Sequence, residues 1–186
     1  MHIFTDYILL GISFIFNYFI SGYVLTELFI GKVKLIFKLP LYFVLSILTT
    51  TNLVYLTALV FGLSSNLIFI NYLFWLCCFV YVLYLKTFRF YIFDKNHWQA
   101  YLLALVVFII FVISLYKSIF YFYEGYYVMS ADNWQDTALH FSIMENIKEG
   151  NFPPIAPYYS GHNLDYHYFT DFHSAIITQP LNKFTP

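Results

Sequence analysis

Charge is what this sequence has least of. Asp, Glu, Lys and Arg make up 10% of its 186 residues, against about a quarter in soluble domains, and this excludes an ordinary water-soluble fold. Cysteine is nearly absent too. Cys77 and Cys78 are the only two, adjacent within an apolar run, where they suit neither an ordinary disulfide nor a zinc site and read as small core residues. Met1 to Asp6 holds no Lys or Arg, so a cleaved signal peptide, which needs a basic start, is not indicated. There is no glycine-rich phosphate loop, internal repeat or low-complexity tract. The net charge of -1 lends nothing to a nucleic-acid partner, and none is expected.

What is present instead is apolar sequence, 61% of the chain, gathered in four blocks: Tyr7 to Ile30, Leu39 to Leu63, Leu67 to Leu85 and Ala100 to Phe122. Each is close to the ~20 residues a helix needs to cross the hydrocarbon core. The fold class is therefore all-α, a polytopic transmembrane helical bundle over residues 1–123. Glu27 and Lys117 lie near block ends, from which their charged heads reach the interface; Lys117 is also a candidate contact for an anion. The loop Gly31 to Lys38 carries Lys32, Lys34 and Lys38, and the segment Lys86 to Trp98 carries Lys86, Arg89 and Lys95. The excess of basic residues makes these two loops cytoplasmic and the segment after the fourth helix external. The expected localisation is thus a multi-pass cell-membrane protein in contact with membrane lipid.

From Glu124 onward the character changes: seven of the ten acidic residues and four of the six histidines fall there. Residues 124–170 form an external loop, and 171–186 read as the start of a further transmembrane helix in a chain longer than the one given. Asp132 to Glu149 reads as an amphipathic interfacial helix, opened by Asp132 and Gln135 as a capping box and closed by Gly150, Pro153 and Pro154. Asp132, Asp136 and His140 share one stripe with Leu139, Ile143 and Ile147, so ionisable groups turn toward the apolar side. A carboxylate there loses hydration, and its pKa rises toward the range of a general base unless a partner supports its charge. Asp136, with His140 one turn on, fits that role, while Asp132 also has a structural one as a cap. Asn151 to His173 is Pro-rich and reads as ordered turns. His162, Asp165, His167, Asp171 and His173 are dense enough to raise a divalent metal, but their spacing matches no known zinc pattern. No metal or other cofactor is expected.

The run DTALHFSIMENIKEGNFPPIAPYYSGHNLDYHY, Asp136 to Tyr168, resembles the first external loop of GT-C membrane glycosyltransferases, the superfamily of the protein O-mannosyltransferases. Asp136 matches that family's catalytic acid, His140 the aromatic residue or His four positions on, and Gly150 and Pro154 the helix end and turn. The resemblance implies transfer of a sugar from a polyprenyl-phosphate-type donor to an acceptor on the external face, with inversion. It makes Asp136, His140 and Asp132 the catalytic candidates, and His162, Tyr166, His167 and Lys117 the substrate-binding ones. Two features depart from the pattern: no adjacent acidic pair follows at Thr137, and no Lys or Arg lies between Gly150 and Asp171. The competing reading is a non-enzymatic polytopic membrane protein, a transporter or assembly factor, with an external His/Asp site.

Overall fold

The computed structural model describes residues 2–30, 35–85, 98–118, 120–123, 126–129, 134–156, 162, 164 and 167–181. It divides into two compact units, Met1–Phe88 with His140–Thr185, and Arg89–Leu139 with Pro186.

In the first unit, α1 (His2–Ile15), a π-helical stretch (Phe16–Ile20) and α2 (Ser21–Phe29) follow one another, and the residues at each junction keep right-handed helical dihedrals. With α3 (Leu35–Phe61) and α4 (Ser65–Leu85) they supply three helices long and apolar enough to cross a membrane: Thr5–Phe29, Phe37–Phe61 and Ser65–Leu85. This is a membrane protein. These spans agree with the first three apolar blocks to within a few residues. Most of their large apolar side chains, among them Phe29, Phe61, Ile70 and Leu73, are exposed, as expected where lipid is the solvent.

Lipid tails are as apolar as leucine, so close backbone approach and interhelical hydrogen bonds must hold such helices together. Both are present. Gly22 lies so close to α3 that a Cβ there would stand 1.8 Å from the Tyr42 carbonyl oxygen, and its N–H donates to Ser46 Oγ at 2.7 Å. Beside it Ser21 Oγ meets Thr50 Oγ1 at 2.9 Å. One turn before Ser21, Asn17 is wholly buried and donates from Nδ2 to Tyr72 Oη of α4 at 2.7 Å and to the Ser13 carbonyl at 2.8 Å. The second of these gives a donor to a carbonyl at the edge of the π-helical stretch, where the i to i−4 ladder is broken. Ile20, Val24, Trp75 and Val82 form an apolar cluster between these helices. Glu27 is not simply stretched toward an interface, because Lys38 Nζ and Tyr42 Oη both donate to its Oε1. Pairing is the cheaper solution for a carboxylate on a helix otherwise without charge.

Two further helices complete this unit: α6 (Trp134–Lys148), which it shares from His140 onward, and α7 (Phe169–Thr178). Ile143 and Ile147 of α6, on the inward stripe read from the sequence, are buried, and so is Met144 beside them. α7 begins at Phe169, two residues before the further helix expected at 171–186 and within the last part of the stretch expected to be turns, and it ends after ten residues.

In the second unit α5 (Trp98–Ser118) is apolar on all sides, with Leu103, Phe108, Ile110 and Ile113 exposed. The fourth block does not stay helical to Phe122. Phe120–Tyr123 is strand β1, paired antiparallel with β2 (Tyr126–Met129), Tyr123 opposite Tyr126. The tyrosines and phenylalanines that make this stretch apolar are also strong strand formers.

Candidate functional site

α6 and α7 carry the chemistry of the described chain, and they run parallel. Gln179, just past α7, donates from Nε2 to the Lys148 carbonyl at the end of α6. Thr178 Oγ1 lies 3.9 Å from Met144 Sδ, and one further turn back His140 Nδ1 lies 2.7 Å from Asp171 Oδ1. This last pair is the centre of the site. Asp171 is only 5% exposed, whereas the His140 side chain is 40% exposed. A buried carboxylate accepts from the ring nitrogen nearest to it, which assigns a proton to Nδ1. Desolvation pushes the Asp171 carboxyl above the usual carboxylate range, and the bond to His140 and the charges of His140 and His167 pull it partly back. Its Oδ2 is buried with no hydrogen-bond partner among the described residues.

The rest of α7 faces the membrane bundle. His173 is 9% exposed; its Nδ1 meets Thr51 Oγ1 of α3 at 2.7 Å, and its ring stands edge-on to Tyr18. Burial pushes this imidazole down to about 4, so it is neutral at neutral pH. Phe172, fully buried, packs with Tyr55 and Phe152. The two arms of the proline-rich loop are tied by Ala156 N–H to the His162 carbonyl at 2.9 Å and Leu164 N–H to the Pro154 carbonyl at 3.3 Å.

Of the catalytic residues expected from sequence, His140 is at this pair. Asp136 lies on α6, four residues earlier, and its side chain is outside the described residues, as are that of Lys117 and the whole of Asp132 and Tyr166. His162 and His167 are exposed, and His167 is close enough for its charge to act on Asp171. Among the described residues no group of three His, Cys, Asp or Glu is arranged to hold a metal ion. Asp171 and His173 carry more of the site than their sequence context suggested. One local signal for Asp171 existed, an acidic residue in the first turn of an apolar helical run, like Asp136. Compared with family models, curated proteins and solved structures, the chain matches none.

Proposed function

We propose that the chain is the membrane-embedded part of a glycosyltransferase that moves a sugar from a polyprenyl-phosphate-type donor to a hydroxyl acceptor, with inversion. The observation that supports it best is the His140–Asp171 pair, an imidazole half open to its surroundings and fixed by a buried carboxylate. Its His140 lies within the segment that resembles the GT-C catalytic loop. In the proposed step the acceptor oxygen attacks the anomeric carbon, the bond from that carbon to the phosphate oxygen breaks, and the phosphate leaves with the bonding electrons. The acceptor proton passes to Nε2 of His140, while Asp171 steadies the imidazolium that results. One base suffices for inversion, since no covalent intermediate forms.

The same proposal takes α5 as a fourth span and has the α6–α7 region open to the external face, because the basic residues gather in the segments 31–38 and 86–98. In a background with Cys77 and Cys78 replaced, a cysteine at Asn151 should react with an impermeant maleimide applied from outside and one at Lys34 should not. The opposite pattern moves the site to the cytoplasm.

The decisive assay is sugar transfer from a polyprenyl-linked donor by membranes carrying His140→Gln, Asp171→Asn or Asp136→Asn protein at matched levels. Loss of a general base costs about 10²- to 10⁴-fold, and His140→Gln should show it. If Asp136→Asn shows the loss and His140→Gln does not, the base is Asp136. Full transfer by all three removes these residues as the base, and no transfer by the wild type above membranes that lack the protein leaves a non-enzymatic membrane protein.

A further inference from the structure

The depth of α7 follows from its partners. α3 spans from Phe37 to Phe61, and at 1.5 Å per residue Thr51 lies about 15 Å along the helix from Phe61, with Tyr55 about 9 Å from it. The hydrocarbon core is about 30 Å thick. His173, bonded to Thr51, therefore stands near the middle of the span, and Phe172, packed on Tyr55, stands a little nearer that end. The other end of α7 is tied to the membrane boundary: Ser65 Oγ, at the first residue of α4, donates to the Gln179 carbonyl at 3.0 Å. Six residues of helix separate His173 from Gln179, about 9 Å, and the Thr51 and Ser65 contacts mark its lower and upper levels. Tyr168, just before α7, has its hydroxyl 3.5 Å from that of Tyr55, so α7 starts below the end of the bundle where α3 turns into α4 and its C-terminal end returns there. The part of α6 from His140 to Lys148, parallel to it, covers the same depth.

From this we infer that α6 and α7 are a re-entrant helix pair and that the His140–Asp171 site lies inside the hydrocarbon thickness, below the membrane surface. Irregular backbone at such depth is tolerated only where protein or a water-filled cavity surrounds it. The loop before α7 satisfies part of its own backbone through the Ala156–His162 and Leu164–Pro154 bonds. Meanwhile His167, whose charge acts on Asp171, is exposed, as is Thr170. An ionisable pair at this level marks the path of a polar group that enters the membrane. Its substrate is therefore an amphiphile, anchored by an apolar tail and presenting its headgroup below the surface. This identification of the substrate rests on the transfer reaction proposed above; the depth of the helix pair does not.

Spin labels on single cysteines test the depth directly, in full-chain protein with Cys77 and Cys78 replaced and reconstituted in phosphatidylcholine vesicles. Thr170→Cys, exposed near the start of α7, should lie about 9 Å deeper than Leu181→Cys, measured by relaxation from oxygen and from a lipid-attached paramagnet. His162→Cys and Leu181→Cys should react with an impermeant maleimide from one and the same face. Equal shallow depths at Thr170 and Leu181 would make α7 a surface helix, and labelling from opposite faces would make it a span; either overturns the inference while leaving the transfer assay unaffected. Phe169→Cys, also exposed, serves if Thr170→Cys folds poorly.

Discussion

Acid should release α7 from the bundle through His173. In the docked helix the imidazole is held neutral down to about 4, whereas in an undocked, hydrated α7 it titrates near the ordinary value of about 6.5. Because the docked value is lower, the docked state binds fewer protons between these two pH values. Docking from this group is at full strength above about 6.5 and is lost as pH falls toward about 4. Between pH 7.5 and 4.5 the difference amounts to about 2.5 kcal/mol, or roughly 70-fold in the undocking equilibrium. Amide exchange across Phe169–Thr178 in detergent-solubilised protein reports that equilibrium. His173→Asn is the control, since its amide can still meet Thr51 Oγ1 but does not titrate. The substitution forfeits the edge contact with Tyr18, about 1 kcal/mol, at every pH. The opening constant of α7 should thus rise steeply with acid in the wild type and, relative to it, stay about 70-fold flatter in the variant. Equal acid sensitivity in both would refute the claim that His173 is buried and neutral in the docked helix.

Other outcomes follow from single contacts. Asp171→Asn keeps an acceptor for His140 but removes a carboxylate whose burial raises its pKa. Ionisation of Asp171 therefore costs stability, which in the wild type should fall as pH rises through and above the usual carboxylate range; the Asn variant, followed by thermal unfolding in micelles, should lack that component. Gly22→Ala forces a Cβ to within 1.8 Å of the Tyr42 carbonyl, so α2 and α3 must separate, at a cost of about 3 kcal/mol or more; a variant of wild-type stability would deny the close crossing. Glu27→Gln weakens the bond from Lys38 and should cost about 1–2 kcal/mol. Adding Lys38→Met, which removes the stranded ammonium, should recover most of it, and a lack of recovery in the melting temperature would mean that the two residues act independently.

The sequence alone determined the helices that fit a membrane, because the length of an apolar run and its lack of charge are local properties that need no partner. It also determined the inward stripe of α6, since Ile143 and Ile147 recur at the helical period and burial follows that period. Local reading was weaker where two local preferences compete. The aromatic run at Phe120–Tyr123 satisfies the hydropathy of a span and the propensity of a strand alike, and pairing with Tyr126–Met129 decides between them. The site depended most on tertiary structure. His140 pairs with a residue 31 positions away, and His173 with one 122 positions away. Nothing within one helical turn of either histidine specifies those partners; the packing of α7 against α3 and α6 does, because it removes water from Asp171 and His173 and leaves each with only the hydrogen bonds that neighbouring helices provide.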